Sequence, residues 1–187
     1  MSIPEENRSI VVLPGGGYGV DGPLLMFARE AAELRGARIH LLPWQRLEEL
    51  RALPNEEWAA WAEAQARDHT ADLVAQRPVL VGKSLGTYAA AIAADHGLPA
   101  IWLTPLLHIE VEVAALRRAS APMLLVGGTK DPAWNGALAR ELSPYVVEVP
   151  DADHGMFVPG PLALSAAVLG EVATAIEEFL DKVWELP

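Results

Sequence analysis

The chain has 187 residues and no cysteine. That excludes disulfides, thiolate catalysis and cysteine-ligated metal. It is also short of basic residues. Fourteen Lys and Arg stand against 25 Asp and Glu, giving a net charge of −11 and a pI of about 4.8. A partner of the phosphate backbone needs a basic surface, so nucleic acid is excluded as a partner. Anionic membrane surfaces are disfavoured on the same ground. No uninterrupted apolar run reaches the roughly 18 residues of a membrane span. The opening "MSIPEENRSI" lacks the basic and apolar regions of a secretory signal. A cytoplasmic protein with no membrane partner is therefore expected. Low-complexity tracts, internal repeats and linkers are missing too, so the expectation is one domain over residues 1–187.

What is present is globular: 51% of residues are hydrophobic and 21% charged. Short apolar runs alternate with helix-like segments. "SIVVLP" (9–14), "ARIHLLP" (37–43), "RPVLVG" (77–82), "LPAIWLTP" (98–105), "PMLLVGG" (122–128) and "YVVEVP" (145–150) read as six strands. Helices are expected over 22–35, from Asn55 to about Gln76, over 84–97, 109–118 and 135–142, and over 162–182. Gly36 is placed to stop the first of these. Strand–helix alternation of this kind implies an α/β fold, a three-layer α/β/α sandwich around a mostly parallel sheet. In such sheets ligands bind beyond the carboxyl ends of the strands. The loops that matter are therefore 14–22, 43–54, 82–84, 105–109, 128–135 and 151–160.

Gly82-Lys83-Ser84-Leu85-Gly86 is a G-x-S-x-G between the third strand and an alanine-rich helix. A nucleophile must stand proud of the sheet, and the flanking glycines leave room for a sharp strand-to-helix turn. The bland alternative is that Ser84 only caps a helix. A serine hydroxyl is a weak nucleophile without a base. His154, in the loop after the sixth strand, is the best-placed histidine. His40 lies inside a strand, His69 and His96 fall on helices and read as surface residues, and His108 follows the fourth strand at the correct sheet edge. The base needs a carboxylate to fix its tautomer. Asp131, just past the fifth strand, is favoured over Asp151 and Asp153, which sit beside His154 in sequence. The triad order is then Ser84, Asp131, His154, with spacings of 47 and 23 residues. All three stand at carboxyl ends of expected strands.

On "GKSLG", "GGTKD" and "DADHG", in that order, the chain resembles the α/β-hydrolase superfamily. It looks most like the small, lidless, esterase-like members, often called dienelactone-hydrolase-like. The resemblance implies sheet order 2-1-3-4-5-6, no lid domain and an acyl-enzyme mechanism needing no metal or organic cofactor. It also implies an oxyanion hole from the N–H groups of Leu85 and Gly16, with Gly17 next to them. Many members have a histidine where this chain has Pro14. The implied substrate is a small ester or thioester. Carbon–carbon bond hydrolysis and perhydrolysis use the same residues, and a non-catalytic ligand-binding protein would share the fold. The expected pocket wall comprises Gly17, Tyr18, Trp44, Thr104, Leu106, His108, Trp134 and Met156. Lys83 reads as an exposed or paired lysine. Oligomeric state is left open.

The loop "PGGGYGVDG" carries a rival reading, because Gly17, Gly19 and Gly22 spell G-x-G-x-x-G. A dinucleotide site would also need an acidic residue near the end of the second strand. That strand instead ends "HLLPWQR", with Trp44 where the acid is needed.

Overall fold

The computed structural model describes residues 3–185. Six strands form one parallel sheet in the order β2-β1-β3-β4-β5-β6. They are β1 (Ser9–Leu13), β2 (Arg38–Leu41), β3 (Val79–Lys83), β4 (Ala100–Leu103), β5 (Met123–Gly128) and β6 (Tyr145–Val149). This is the expected order. The inner strands β1, β3, β4 and β5 are buried at every position, as strands covered on both faces must be. The edge strand β2 is partly open, with Arg38 and Leu41 exposed.

Side chains alternate across the sheet and feed two cores. On one face Ile10, Val12, Val79, Val81, Ile101 and Val126 pack against α1 (Pro23–Glu33) and α7 (Leu162–Val183). On the other, Val11, Leu13, Leu80, Trp102 and Leu125 meet α3 (Trp58–Thr70), α4 (Ala90–His96), α5 (Glu110–Arg117) and α6 (Gly136–Leu142). A short helix, α2 (Leu47–Leu50), lies in the connection after β2, within a stretch expected to be loop.

Two expected helices depart from their sequence reading. The segment from Asn55 to Gln76 is not one helix. A 3-10 turn at Asn55–Glu57 leads into α3, which ends at Thr70, and a second 3-10 turn occupies Val74–Gln76. Thr70, the last residue of α3, bonds its hydroxyl back to the Ala66 carbonyl at 2.7 Å. The segment after Ser84 starts as a 3-10 turn over Ser84–Ala89 and becomes α-helical only at Ala90. Gly36 does stand just past α1, at φ +73°.

His96 is exposed, as expected of a surface helix residue. His69 is not a plain surface residue. Its Nε2 is sealed without a hydrogen-bond partner among the described residues, and so is that of His40. Burial first, then the His40 charge, holds the His69 imidazole below its ordinary range.

The carboxyl ends of the strands share one edge, and the chain changes direction there between β1 and β3. Of the seven non-glycine residues with positive φ among the described residues, five follow strands at this edge: Arg46, Ser84, Thr104, Asp151 and Met156. Strained backbone of this kind gathers at sites that position chemistry.

Candidate active site

Ser84 begins the turn between β3 and α4 with φ of +51°. The glycines beside it are there for space. A Cβ on Gly82 would come within 2.6 Å of the Gly86 carbonyl, and one on Gly86 would collide with the Leu13 carbonyl at the end of β1. Thr87 donates its hydroxyl to the Ser84 carbonyl at 2.6 Å, which holds the turn from below.

His154 reaches Ser84 from the loop after β6. Its Nε2 lies 2.9 Å from the Ser84 Oγ, and its Nδ1 lies 2.7 Å from the Asp131 Oδ2. The other Asp131 oxygen accepts the Ala133 N–H at 2.9 Å. Asp131 is buried, whereas the His154 side chain is 39% exposed. Burial pushes the Asp131 carboxyl up. The His154 and Ala133 hydrogen bonds, with the charges of His154 and Lys83, outweigh that and hold it below its ordinary value. An ionised Asp131 accepts a hydrogen bond from the Nδ1–H of His154, the tautomer that leaves Nε2 free to take a proton from Ser84.

The two rival aspartates are engaged elsewhere. Asp151 is exposed and pairs with Lys130 at 3.5 Å. Asp153 accepts the Gly155 and Phe157 N–H groups at 2.8 and 3.0 Å, bracing the histidine turn from within.

A cavity of about 390 Å³ opens beside Ser84. Gly16, Gly17, Leu85, Leu106 and His108 line it. Gly16 and Leu85 face each other closely, since a Cβ on Gly16 would stand 3.6 Å from the Leu85 Cδ2. The Gly15 N–H is committed to the Tyr18 carbonyl at 2.9 Å and is not free to serve a ligand. The rest of the wall comes from Leu47, Leu50 and Arg51 of the α2 region, Asn55 and Trp58 ahead of and in α3, Tyr88, and Ile109. Sequence reasoning marked the 43–54 loop but did not give it a helix, so Leu47 and Leu50 were missed. The closely spaced leucines in "RLEELRAL" were the available signal.

Five residues expected in this wall lie elsewhere. Trp44 donates its indole N–H to the Pro14 carbonyl at 2.9 Å and packs on Trp61, bracing the glycine-rich loop from outside. Thr104 is fully buried at the end of β4, its hydroxyl without a partner among the described residues. Trp134 lies over Gly127 and donates to Glu148 at 2.8 Å, supporting the Asp131 loop. Tyr18 and Met156 line a different, largely apolar cavity with Pro23, Phe157 and Leu169. In each case the loop position was right, but tertiary packing turned the side chain away.

The dinucleotide reading fails on the same loop. The Tyr18 hydroxyl accepts the Leu24 N–H at 2.9 Å, and its ring covers Gly22. Tyr18 thus fills the start of α1, where a bound pyrophosphate would have to sit.

Comparison with solved structures finds chains of the same architecture. XC6422 from Xanthomonas campestris, an α/β serine hydrolase without a lid, matches with a TM-score of 0.68 at 15% identity, over 94% of this chain and 82% of that one. Est1E from Butyrivibrio proteoclasticus matches with a TM-score of 0.68 at 13% identity, over 96% and 89%. The chain has the α/β-hydrolase fold. Mouse α/β hydrolase domain-containing protein 10 shares this fold with a TM-score of 0.62 at 16% identity, over 94% and 90%. No protein-family model matches the sequence, and no curated protein does. In this α/β-hydrolase fold the link between β4 and β5 carries only α5, from Glu110 to Arg117. Among the described residues no helix is long and apolar enough to cross a membrane.

Proposed function

We propose that this chain is a serine hydrolase that cleaves small esters or thioesters through an acyl-enzyme. The observation that carries the reading is the unbroken hydrogen-bonded line from Asp131 through His154 to Ser84, at 2.7 and 2.9 Å. In this mechanism Ser84 Oγ attacks the carbonyl carbon while His154 Nε2 takes its proton. Asp131 holds the imidazole in the required tautomer and stabilises the imidazolium. The N–H groups of Leu85 and Gly16 receive the oxyanion of the tetrahedral intermediate. His154 then protonates the departing alcohol or thiol. Water, activated by the same histidine, releases the acid from Ser84.

The cavity beside Ser84 supports an apolar acyl group of modest size. Four leucines, Ile109 and the rings of Trp58 and Tyr88 form most of its wall. Est1E, at 14% identity, has been solved with ferulic acid bound, and ferulic acid is an aromatic carboxylic acid. An aromatic acyl ester therefore belongs beside butyryl and hexanoyl esters in the first substrate panel.

The deciding experiment is labelling by a fluorophosphonate probe, with Ser84→Ala as control. Strong labelling that disappears in the variant is the expected result. A folded protein that resists the probe between about pH 6 and 9 would overturn the hydrolase reading, since an activated serine reacts in that range.

A further inference from the structure

Lys83 occupies the variable position of the G-x-S-x-G turn, and its side chain is only 3% exposed. An amino group buried this deeply costs stability unless it is well partnered. Its Nζ donates to the main-chain carbonyl of His154 at 3.1 Å. It also stands 5.0 Å from the centroid of the Tyr18 ring, within cation–π range. Its Cδ would lie 3.5 Å from a Cβ on Gly15. One side chain thus joins the nucleophile turn to the loop after β1 and to the loop after β6. The charged groups that face it are Asp131, from the loop after β5, and Asp153, from the histidine loop.

Among the described residues, two side-chain hydrogen bonds join residues 82–86 to the histidine loop. One is the bond between His154 and Ser84. The other is that of Lys83. The first must break and re-form in each turnover, and the second need not. We propose that Lys83 is a positioning residue, whose ammonium clamps the main chain of His154 against the nucleophile turn and so keeps the imidazole in line with Ser84. The inference rests on the serine-hydrolase reading above.

The charge matters as well as the donor. A neutral amine still donates a hydrogen bond, but it loses its attraction to the Tyr18 ring and to the two aspartates. Burial lowers the Lys83 ammonium to about 8 against the opposing pull of Asp131 and Asp153, so the charge is lost within a testable range.

The test compares fluorophosphonate labelling rates of wild type, Lys83→Met and Lys83→Arg from about pH 6 to 10. Methionine keeps the length and removes both donor and charge. Lys83→Met should label about 10- to 100-fold more slowly near pH 7, the scale of a misplaced catalytic group. Its thermal midpoint should be unchanged or higher, because a buried charge has gone. Wild type should lose labelling rate above about pH 8 as the ammonium deprotonates. Lys83→Arg, charged throughout this range, should label well at neutral pH without that alkaline fall. The proposal is overturned if folded Lys83→Met labels within about twofold of wild type, or if the alkaline fall persists in Lys83→Arg. Should Lys83→Met fail to fold, the arginine profile decides alone. Failure of wild type to label at any pH overturns the hydrolase reading itself, a different result from any of these.

Discussion

Glu112 carries a carboxyl group where water does not reach. It is 2% exposed, and its Oε1 accepts the N–H of Leu106, a residue of the cavity wall. Burial pushes its carboxyl up to about 7, against the pull of the Leu106 N–H. The unfolded chain releases that proton near the ordinary value of 4.5. Between those values the folded chain holds a proton that the unfolded chain has lost. The contribution of Glu112 is therefore complete below about pH 4.5 and declines as pH rises through 7. Glu112→Gln has no such proton and keeps an oxygen for Leu106. It should match wild type near pH 4 and exceed it near pH 8, at about 1.4 kcal/mol for each unit of raised pKa. Urea unfolding of both proteins at the two pH values measures this. An equal difference at both would mean that Glu112 acts through packing and not through its charge.

At the scale of elements, α2 and the start of α3 set the shape of the cavity. Leu47 and Leu50 form one wall, and Trp58 closes it from α3. Trp58→Ala should lengthen the space available to an acyl chain. A methylene in an apolar pocket changes kcat/KM by about 1–3 kcal/mol. The variant should therefore lose about tenfold on butyryl esters relative to octanoyl esters, with fluorophosphonate labelling retained. A ratio that does not move would place the acyl group outside this cavity. The same elements show what a sequence can and cannot disclose. The six strands were legible because parallel strands buried on both faces read as apolar runs, and Gly82 and Gly86 announced the turn around Ser84; the order of the strands in the sheet came only from the resemblance. The break after Thr70 was not legible, because no glycine or proline marks it between Asn55 and Gln76. Nor was the inward or outward turn of Trp44 and Trp134. Their indole N–H groups follow the Pro14 carbonyl and the Glu148 carboxylate, partners 30 and 14 residues away.

At the scale of the whole molecule the dominant feature is the charge of −11. Little in the cavity answers it. Arg51 is the one Arg or Lys in its wall. Glu56 and Glu110 line the adjoining surface depression. A field of one sign alters the rate of encounter more than the chemistry that follows. A cationic ester should therefore reach Ser84 faster than a neutral one of the same shape, and an anionic ester more slowly. The difference belongs in kcat/KM, not in kcat. It should shrink as salt rises, because the screening length falls from about 30 Å at 0.01 M to about 3 Å at 1 M. The measurement is kcat/KM for an isosteric set of cationic, neutral and anionic esters across that range of ionic strength. Convergence of the three at high salt is the expected outcome. A preference for the anion that survives high salt would mean that contact with Arg51 outweighs the field of the whole protein, and the substrate would then be sought among carboxylate-bearing esters.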